Sequence, residues 1–419
     1  MLEISKITEL AKEYGTPMYL FDLDELNTRI CTMRQILGQD IEIAYAMKAN
    51  PFLVDAMKTQ VSKFEVCSPG EFAICERENV DMASIVLSGV NKEKADIKHV
   101  MGDCGGVGIY TVESLTQLKL LQECAKEAGV RISVLVRVTS GNQFGVDEEE
   151  LEKIIAGRDE YDNICFKGIQ CYTGTQKKKM SQIQQEIQWL DEICGRLLEK
   201  YGWKAEELEY GPGLMISYFG DEALKNDFEE LKEFAGFLAP IRGKYKITLE
   251  MGRFIAATCG VFATSIADLK TNKGQNYCII DGGINHINYY GQTMAMKVPA
   301  YTFIKADGKC VSGYDMAEKR KLDSDETDSK WTICGSLCTV GDVIVKNLPI
   351  NNPEIGDLIL FYNIGAYSVT EGIYLFLSRK MPKIVAYSKE SSAVVYREVK
   401  ASDEINSRIQ VLTVQPCHS

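Results

Sequence analysis

Between about residues 17 and 255, short apolar runs alternate with amphipathic helical stretches. Eight runs read as strands: Ile41–Ala46, Phe64–Ser68, Ser84–Ser88, Gly106–Tyr110, Arg131–Val138, Cys165–Thr173, Leu208–Tyr210 and Ile247–Glu250. The clearest helix between them puts Ile183, Ile187, Leu190, Cys194 and Leu197 on one stripe, with Gln, Glu and Lys opposite. Eight strand–helix units in a row predict a (β/α)8 barrel. The alternative is an open doubly wound sheet. No Gly-x-Gly-x-x-Gly dinucleotide loop follows the first strand, so the barrel is preferred.

After about residue 256 the texture changes. Phe262–Leu269, Tyr277–Asp281, Trp331–Cys334, Asp357–Tyr362, Ile384–Tyr387 and Ala393–Val399 are short β-branched or aromatic runs separated by Gly, Asn and Asp. They predict a mostly antiparallel β domain. The expected division is a barrel over residues 20–258, with 1–19 and 259–419 forming the β-rich part; 419 residues suffice for two cores. Glu318–Lys330 is dense in charge and reads as an exposed, solvated loop.

A net charge of −12 argues against nucleic acid or an anionic membrane as the main partner. No apolar stretch is long enough to span a bilayer, and Met1–Lys6 does not begin a signal peptide, so a cytoplasmic location is expected. The fourteen cysteines are scattered through apolar segments, without a Cys-x-x-Cys, and there are three histidines, His99, His286 and His418. Reduced thiols acting as small hydrophobes fit this pattern, and no metal site is expected.

Functional residues of a barrel gather where strands end. Lys48 closes the first strand, in Ala44-Tyr45-Ala46-Met47-Lys48-Ala49-Asn50. A buried lysine is costly unless its charge is taken up, and a Schiff base with an aldehyde cofactor does so; the bland alternative is a lysine that snorkels to solvent. Arg137 closes the fifth strand, Tyr172-Thr173-Gly174-Thr175 the sixth, Tyr210-Gly211-Pro212-Gly213 the seventh and Glu250-Met251-Gly252-Arg253 the eighth. Glycine N–H groups, a hydroxyl and a guanidinium suit a phosphate, although each glycine pair alone could be a turn. A reactive lysine, a phosphate cradle and a buried acid suggest pyridoxal phosphate, with Glu250 at the pyridine nitrogen; a salt bridge to Arg253 is the alternative for that acid.

At this point the chain resembles a family. Ala44–Asn50, Phe64–Glu71, Gly168–Gln176, Tyr210–Leu214, Glu250–Arg253, Asp281–Gly283, Gly335–Asp342 and Gly365–Tyr367 match, in order, the motifs of the fold-type III decarboxylases, the diaminopimelate and ornithine decarboxylase group. The resemblance implies a barrel packed on a C-terminal β domain and a head-to-tail homodimer with two active sites shared across the interface. It assigns Lys48 to the Schiff base and Glu250 to the pyridine nitrogen. Arg137, Tyr172, Thr175, Gly211, Gly213, Gly252 and Tyr367 fall at cofactor-binding positions, and Arg253 at a phosphate- or substrate-contacting one. Cys338 falls on the proton donor offered by the partner subunit; a thiol can give up a proton and reload from water.

The departures bear on the substrate. The family's stacking histidine is Tyr172 here, and Pro212 removes one N–H donor from the seventh loop. The acid that follows the active-site cysteine in diaminopimelate decarboxylases is Thr339, and Tyr289 or a neighbour stands where they carry an arginine. Tyr172–Gln176 and Leu337–Thr339 look more like a sub-branch whose best-known member, in butirosin biosynthesis, decarboxylates a glutamyl group on a carrier protein. The expected activity is α-decarboxylation of an amino acid, with Thr339, Tyr289, Tyr367 and Arg253 at the substrate. Diaminopimelate is the family default and a carrier-tethered or modified amino acid the rival. The remaining alternatives are an amino-acid racemase, against which the Cys338 motif speaks, and a catalytically silent relative.

Overall fold

The computed structural model describes residues 1–322 and 329–408, and it divides into two compact units. His418 and the middle of the charge-dense Glu318–Lys330 stretch lie outside the described residues.

The larger unit comprises Glu25–Ser217 and Lys225–Thr258. Eight parallel strands close into a barrel: Ile41–Ala46, Lys63–Val66, Ile85–Leu87, Ile109–Val112, Ile132–Val138, Ile164–Tyr172, Glu207–Gly211 and Lys246–Met251. The last strand pairs back onto the first, with Ala44 beside Glu250 on one side and Lys63 on the other. Helix Met180–Tyr201 buries the stripe read from its sequence, with Ile193 added. Val86, Ile109 and Leu135 from three strands form an apolar cluster. The barrel interior is less apolar than usual. Lys63 ion-pairs with Glu207 of the seventh strand, and with Glu42 of the first at 3.1 Å, while Thr248 of the eighth lies 3.0 Å from its Nζ. Strands this far apart around the ring can exchange such contacts only through the middle.

The smaller unit comprises Met1–Asp24, Tyr218–Leu224 and the chain from Cys259 onward. Among the described residues it holds an 11-stranded, mostly antiparallel sheet. Gly260–Asn272 is its spine: it pairs with Leu358–Tyr362, Gln275–Ile280 and Met18–Asp22. Met18–Asp22, whose five residues are all buried, also runs parallel to Lys383–Ser388. The N-terminal share of this unit therefore extends to Asp24 rather than residue 19. Four further strands, Tyr301–Ile304, Cys310–Asp315, Arg320–Leu322 and Val343–Ile350, do not stand out in the sequence. Glycine at 313, charges at 320 and 321 and Lys-Asn-Leu-Pro at 346–349 dilute their apolar pattern, and ladder pairing overrides it. Arg320–Leu322 and the start of Ser329–Cys334 correct the expectation of a loop over Glu318–Lys330 at its two ends. Among the described residues, no helix is long and apolar enough to cross a membrane.

Candidate active site

The first barrel strand ends in a single tight turn, Met47–Ala49, followed by Asn50, whose side chain accepts from the Phe52 N–H, and by Pro51. Proline and the capping amide stop the strand abruptly, so Lys48 is presented at the C-terminal mouth of the barrel. Strand register supplies its surroundings. Ala46 lies beside Glu65 of the second strand, and Ala44 beside Glu250 of the eighth. Two buried carboxylates therefore flank the lysine: its Nζ is 2.7 Å from Glu65 Oε2 and 3.4 Å from Glu250 Oε1. Desolvation opposes the lysine's charge, but the charges of Glu65 and Glu250 outweigh it and hold the pKa well above the usual lysine value. Burial and the neighbouring Glu65 charge raise Glu250. Glu65 is buried too, but the Lys48 cation brings it below the ordinary range.

Around this triad sits a ring of polar side chains. The Cys67 thiol donates to Glu65 Oε1 at 2.9 Å, and its sulfur is 3.8 Å from Lys48 Nζ. The loop carrying Cys67 is held by Glu71, whose carboxylate accepts the Cys67 N–H at 2.7 Å while the Glu71 N–H donates to Ser68 Oγ. Gln170 Nε2 donates to Glu250 Oε2 at 3.1 Å. Arg137 is buried, paired with Glu113 at 3.2 Å and set over the Phe144 ring at 4.7 Å. Gln170 Oε1 and Glu113 Oε1 are buried with no hydrogen-bond partner among the described residues. A cavity of about 210 Å³ opens beside Cys67 and is lined by Phe72, Leu87, Ser88 and Lys92. Burial lowers the Lys92 ammonium to about 8.

The loops after strands six, seven and eight converge. Arg253 Nε donates to Thr175 Oγ1 at 3.3 Å. Gly213 has φ +63°, and a Cβ on it would lie 2.0 Å from the Gly174 carbonyl oxygen and 3.3 Å from Thr175 Cα. Only glycine lets these two loops run so close, bound by the Lys177 N–H to the Gly213 carbonyl at 2.9 Å. Gly211 pairs with Tyr172, and a Cβ there would lie 2.5 Å from the tyrosine ring; Gly252 likewise packs against Ala46 and Ala49. Thr175, Gly213 and Arg253 thus meet, and Tyr172, Gly211 and Gly252 bound the same mouth.

The remaining sequence-derived positions belong to the smaller unit. Cys338 and Thr339 are exposed, on a loop tied down by Asp342, which accepts the Leu337 N–H at 2.7 Å and the Ile284 N–H at 2.8 Å. The Asp281–Gly283 turn packs beneath that loop, with the Ser336 N–H donating to the Gly282 carbonyl. Tyr367 adopts φ +69°, an unusual conformation for a tyrosine that surroundings must enforce. Tyr289, expected at the substrate, is instead 5% exposed: its hydroxyl donates to the Tyr362 carbonyl at 2.8 Å and its ring packs edge-on to Tyr218. Its neighbour Tyr290 is exposed. Sequence alone does not single out Glu65, Gln170 or Glu113. The available signal is a charged or amide side chain inside an apolar strand.

The arrangement fits pyridoxal phosphate on three counts. A lysine cation sits at the strand end between two acids, a backbone cradle beside Thr175 and Arg253 exists only because position 213 lacks a Cβ, and buried acceptors are left over at the mouth. Comparison with known proteins agrees. The pyridoxal binding domain of pyridoxal-dependent decarboxylases matches residues 23–257. The L-glutamyl-[BtrI acyl-carrier protein] decarboxylase of Niallia circulans is 25% identical over 98% of this chain and 97% of its own. The diaminopimelate decarboxylase of Methanocaldococcus jannaschii is 25% identical over 95% of this chain and 92% of its own. A crystal structure of diaminopimelate decarboxylase from that organism superimposes with a TM-score of 0.82, covering 97% of this chain and 95% of the other at 23% identity, and so shares the fold. With the match spanning more than half of its length, the chain belongs to the pyridoxal-dependent decarboxylase family, and it is a pyridoxal-phosphate enzyme that removes CO2 from an amino acid.

Proposed function

We propose that this decarboxylase acts on an amino acid whose far end is neutral or tethered to a carrier, rather than on free diaminopimelate. Lys48 is the lysine that holds the cofactor, and Glu250 the acid that keeps a proton on the ring nitrogen. Once bound, the cofactor supplies an electron sink for the charge left at the α-carbon when CO2 departs. Glu65, reinforced by the Cys67 thiol, holds the Lys48 amine as a cation at the strand end. Thr175, Gly213 and Arg253 would hold the phosphate, and Arg253 could instead meet a substrate carboxylate. Tyr172 would stack on the cofactor's ring, with Gly211 and Gly252 leaving room at the mouth for both. Arg137 is held at the mouth by Glu113. The barrel unit, Glu25–Ser217 and Lys225–Thr258, carries the cofactor. The β-rich remainder offers Cys338 as proton donor to the other subunit of a cytoplasmic homodimer, a reading supported by the exposure of Cys338 and by Val340 beside it, 100% exposed.

The observation that carries the substrate reading is the missing pair of charges. A free diaminopimelate brings an ammonium and a carboxylate to the far end of the site, and each needs a partner once water is excluded. Thr339 offers a hydroxyl where an acid would stand, and the Tyr289 hydroxyl is already committed to a backbone carbonyl. The relative whose name specifies a carrier-linked glutamyl group fits a site without those charges. Steady-state CO2 release provides the test. A glutamyl carrier protein should be turned over and free meso-diaminopimelate poorly or not at all. A specificity constant of about 10⁴ M⁻¹s⁻¹ or more on the free diamino acid would overturn the reading.

A further inference from the structure

Away from the barrel mouth, three side chains of different chemistry converge on one point. Glu76 belongs to helix Pro69–Arg77, while His99 and Cys104 flank the turn His99–Asp103. His99 Nε2 is 2.9 Å from Glu76 Oε1, and Cys104 Sγ is 3.3 Å from that oxygen and 3.7 Å from the same ring nitrogen. On the far side of the ring, His99 Nδ1 is 2.8 Å from Asp103 Oδ2. We propose that Glu76, His99 and Cys104 form a divalent transition-metal site of the Zn²⁺ class, with Asp103 as the outer carboxylate that orients the histidine.

Three observations carry this beyond a surface cluster. The first is the backbone. The turn is wound as a π-turn, the Cys104 N–H donating to the His99 carbonyl five residues back. In an α-helix, positions five apart point about 140° away from each other. The wider winding brings His99 and Cys104 onto one face. The second is the set of separations. Zinc with one nitrogen, one oxygen and one sulfur at about 2.0, 2.0 and 2.3 Å in tetrahedral geometry holds its ligand atoms about 3.3–3.5 Å apart. The three measured separations bracket that value. The third is tautomer logic. Carboxylates lie against both ring nitrogens, so either the ring is an imidazolium that donates to both, or Nδ1–H donates to Asp103 and Nε2 offers its lone pair to a cation shared with Glu76. A metal can be that cation, and it also draws in the thiolate. Three protein ligands leave a fourth position. Glu76 and His99 line the outer end of the cavity that begins at Cys67, so a water there would face that cavity.

The test uses the purified holoenzyme, chelator-treated and dialysed against buffered Zn²⁺. The expected result is one Zn²⁺ per chain by elemental analysis, with its affinity lowered at least about tenfold in His99→Ala and in Cys104→Ser, and retained in Cys338→Ser. Cobalt substitution should give the visible bands of a tetrahedral, thiolate-bound Co²⁺ in the wild type and lose them in Cys104→Ser. The cofactor's own absorption reports that each variant is folded, and His99→Gln replaces His99→Ala if the latter is not. Absence of stoichiometric metal, leaving a protonated histidine between two carboxylates, overturns the proposal. So does equal binding in both variants.

Discussion

At the residue scale the chain spends buried charge freely, and two acids behave oppositely. Glu65 is paired and stays ionised. Glu209, on the seventh barrel strand, is fully buried with neither carboxylate oxygen bonded among the described residues, and burial raises it to about 8. The folded protein therefore keeps a proton on Glu209 that the unfolded chain loses above its ordinary value of 4.5. The acid's contribution to stability is whole below that value and declines as pH climbs toward 8, by about 3 kcal/mol at neutrality. Glu209→Gln, equally neutral in shape and charge, removes the decline. Thermal melts across pH 5–8 should show the variant gaining on the wild type as pH rises, and parallel curves would contradict the assignment. Lys48 yields a second prediction. Borohydride should fix the cofactor to the Lys48 peptide, and Lys48→Ala should lose both the adduct and the visible absorption; an adduct mapped to another lysine refutes the role. Lys48 and Glu250 are legible in the sequence because a charge closing an apolar strand is conspicuous. Glu65 hides within its motif, since only strand register brings it to the lysine.

At the scale of elements, the phosphate-side loops depend on the missing Cβ at Gly213. Alanine there would face both the strained positive φ and the Gly174 carbonyl. Gly213→Ala should raise the cofactor's dissociation constant at least about tenfold, read by titrating pyridoxal phosphate into the apoprotein. Gly195, in the middle of helix Met180–Tyr201 with open space at its Cβ, is the control: Gly195→Ala should leave affinity unchanged and stabilise the helix by about 1 kcal/mol. Equal affinity in Gly213→Ala and wild type would remove the loop from the phosphate site. The barrel strands are readable because both faces of each are covered, so their apolar runs persist. Strands of the smaller unit such as Val343–Ile350 mix buried and exposed positions without regular alternation and carry a proline, which leaves the sequence little periodic signal.

At the scale of the whole molecule, the proposed shared site makes activity a property of pairs. Lys48→Ala and Cys338→Ala should each be inactive alone, yet mixed subunits should regain part of the wild-type rate, because some heterodimers carry one intact site. Verified subunit exchange without recovery would place both residues' work within one chain. The barrel was visible from a count of strands, whereas the joining of Met18–Asp22 to strands more than two hundred residues away was not, because local sequence carries no record of a distant partner.

The ionic floor of the barrel has a bearing on descent. Losing Lys63 alone leaves Glu207 a buried anion without its ion-pair partner, and losing Glu207 alone leaves the buried lysine with only the part-exposed Glu42, itself shared with Lys246, as its ion-pair partner. Either change costs about 3–5 kcal/mol, while exchanging the set together for apolar groups of like volume is close to neutral. Drift one residue at a time is therefore blocked, and a lineage carrying this floor keeps it whole or abandons it in one coordinated step.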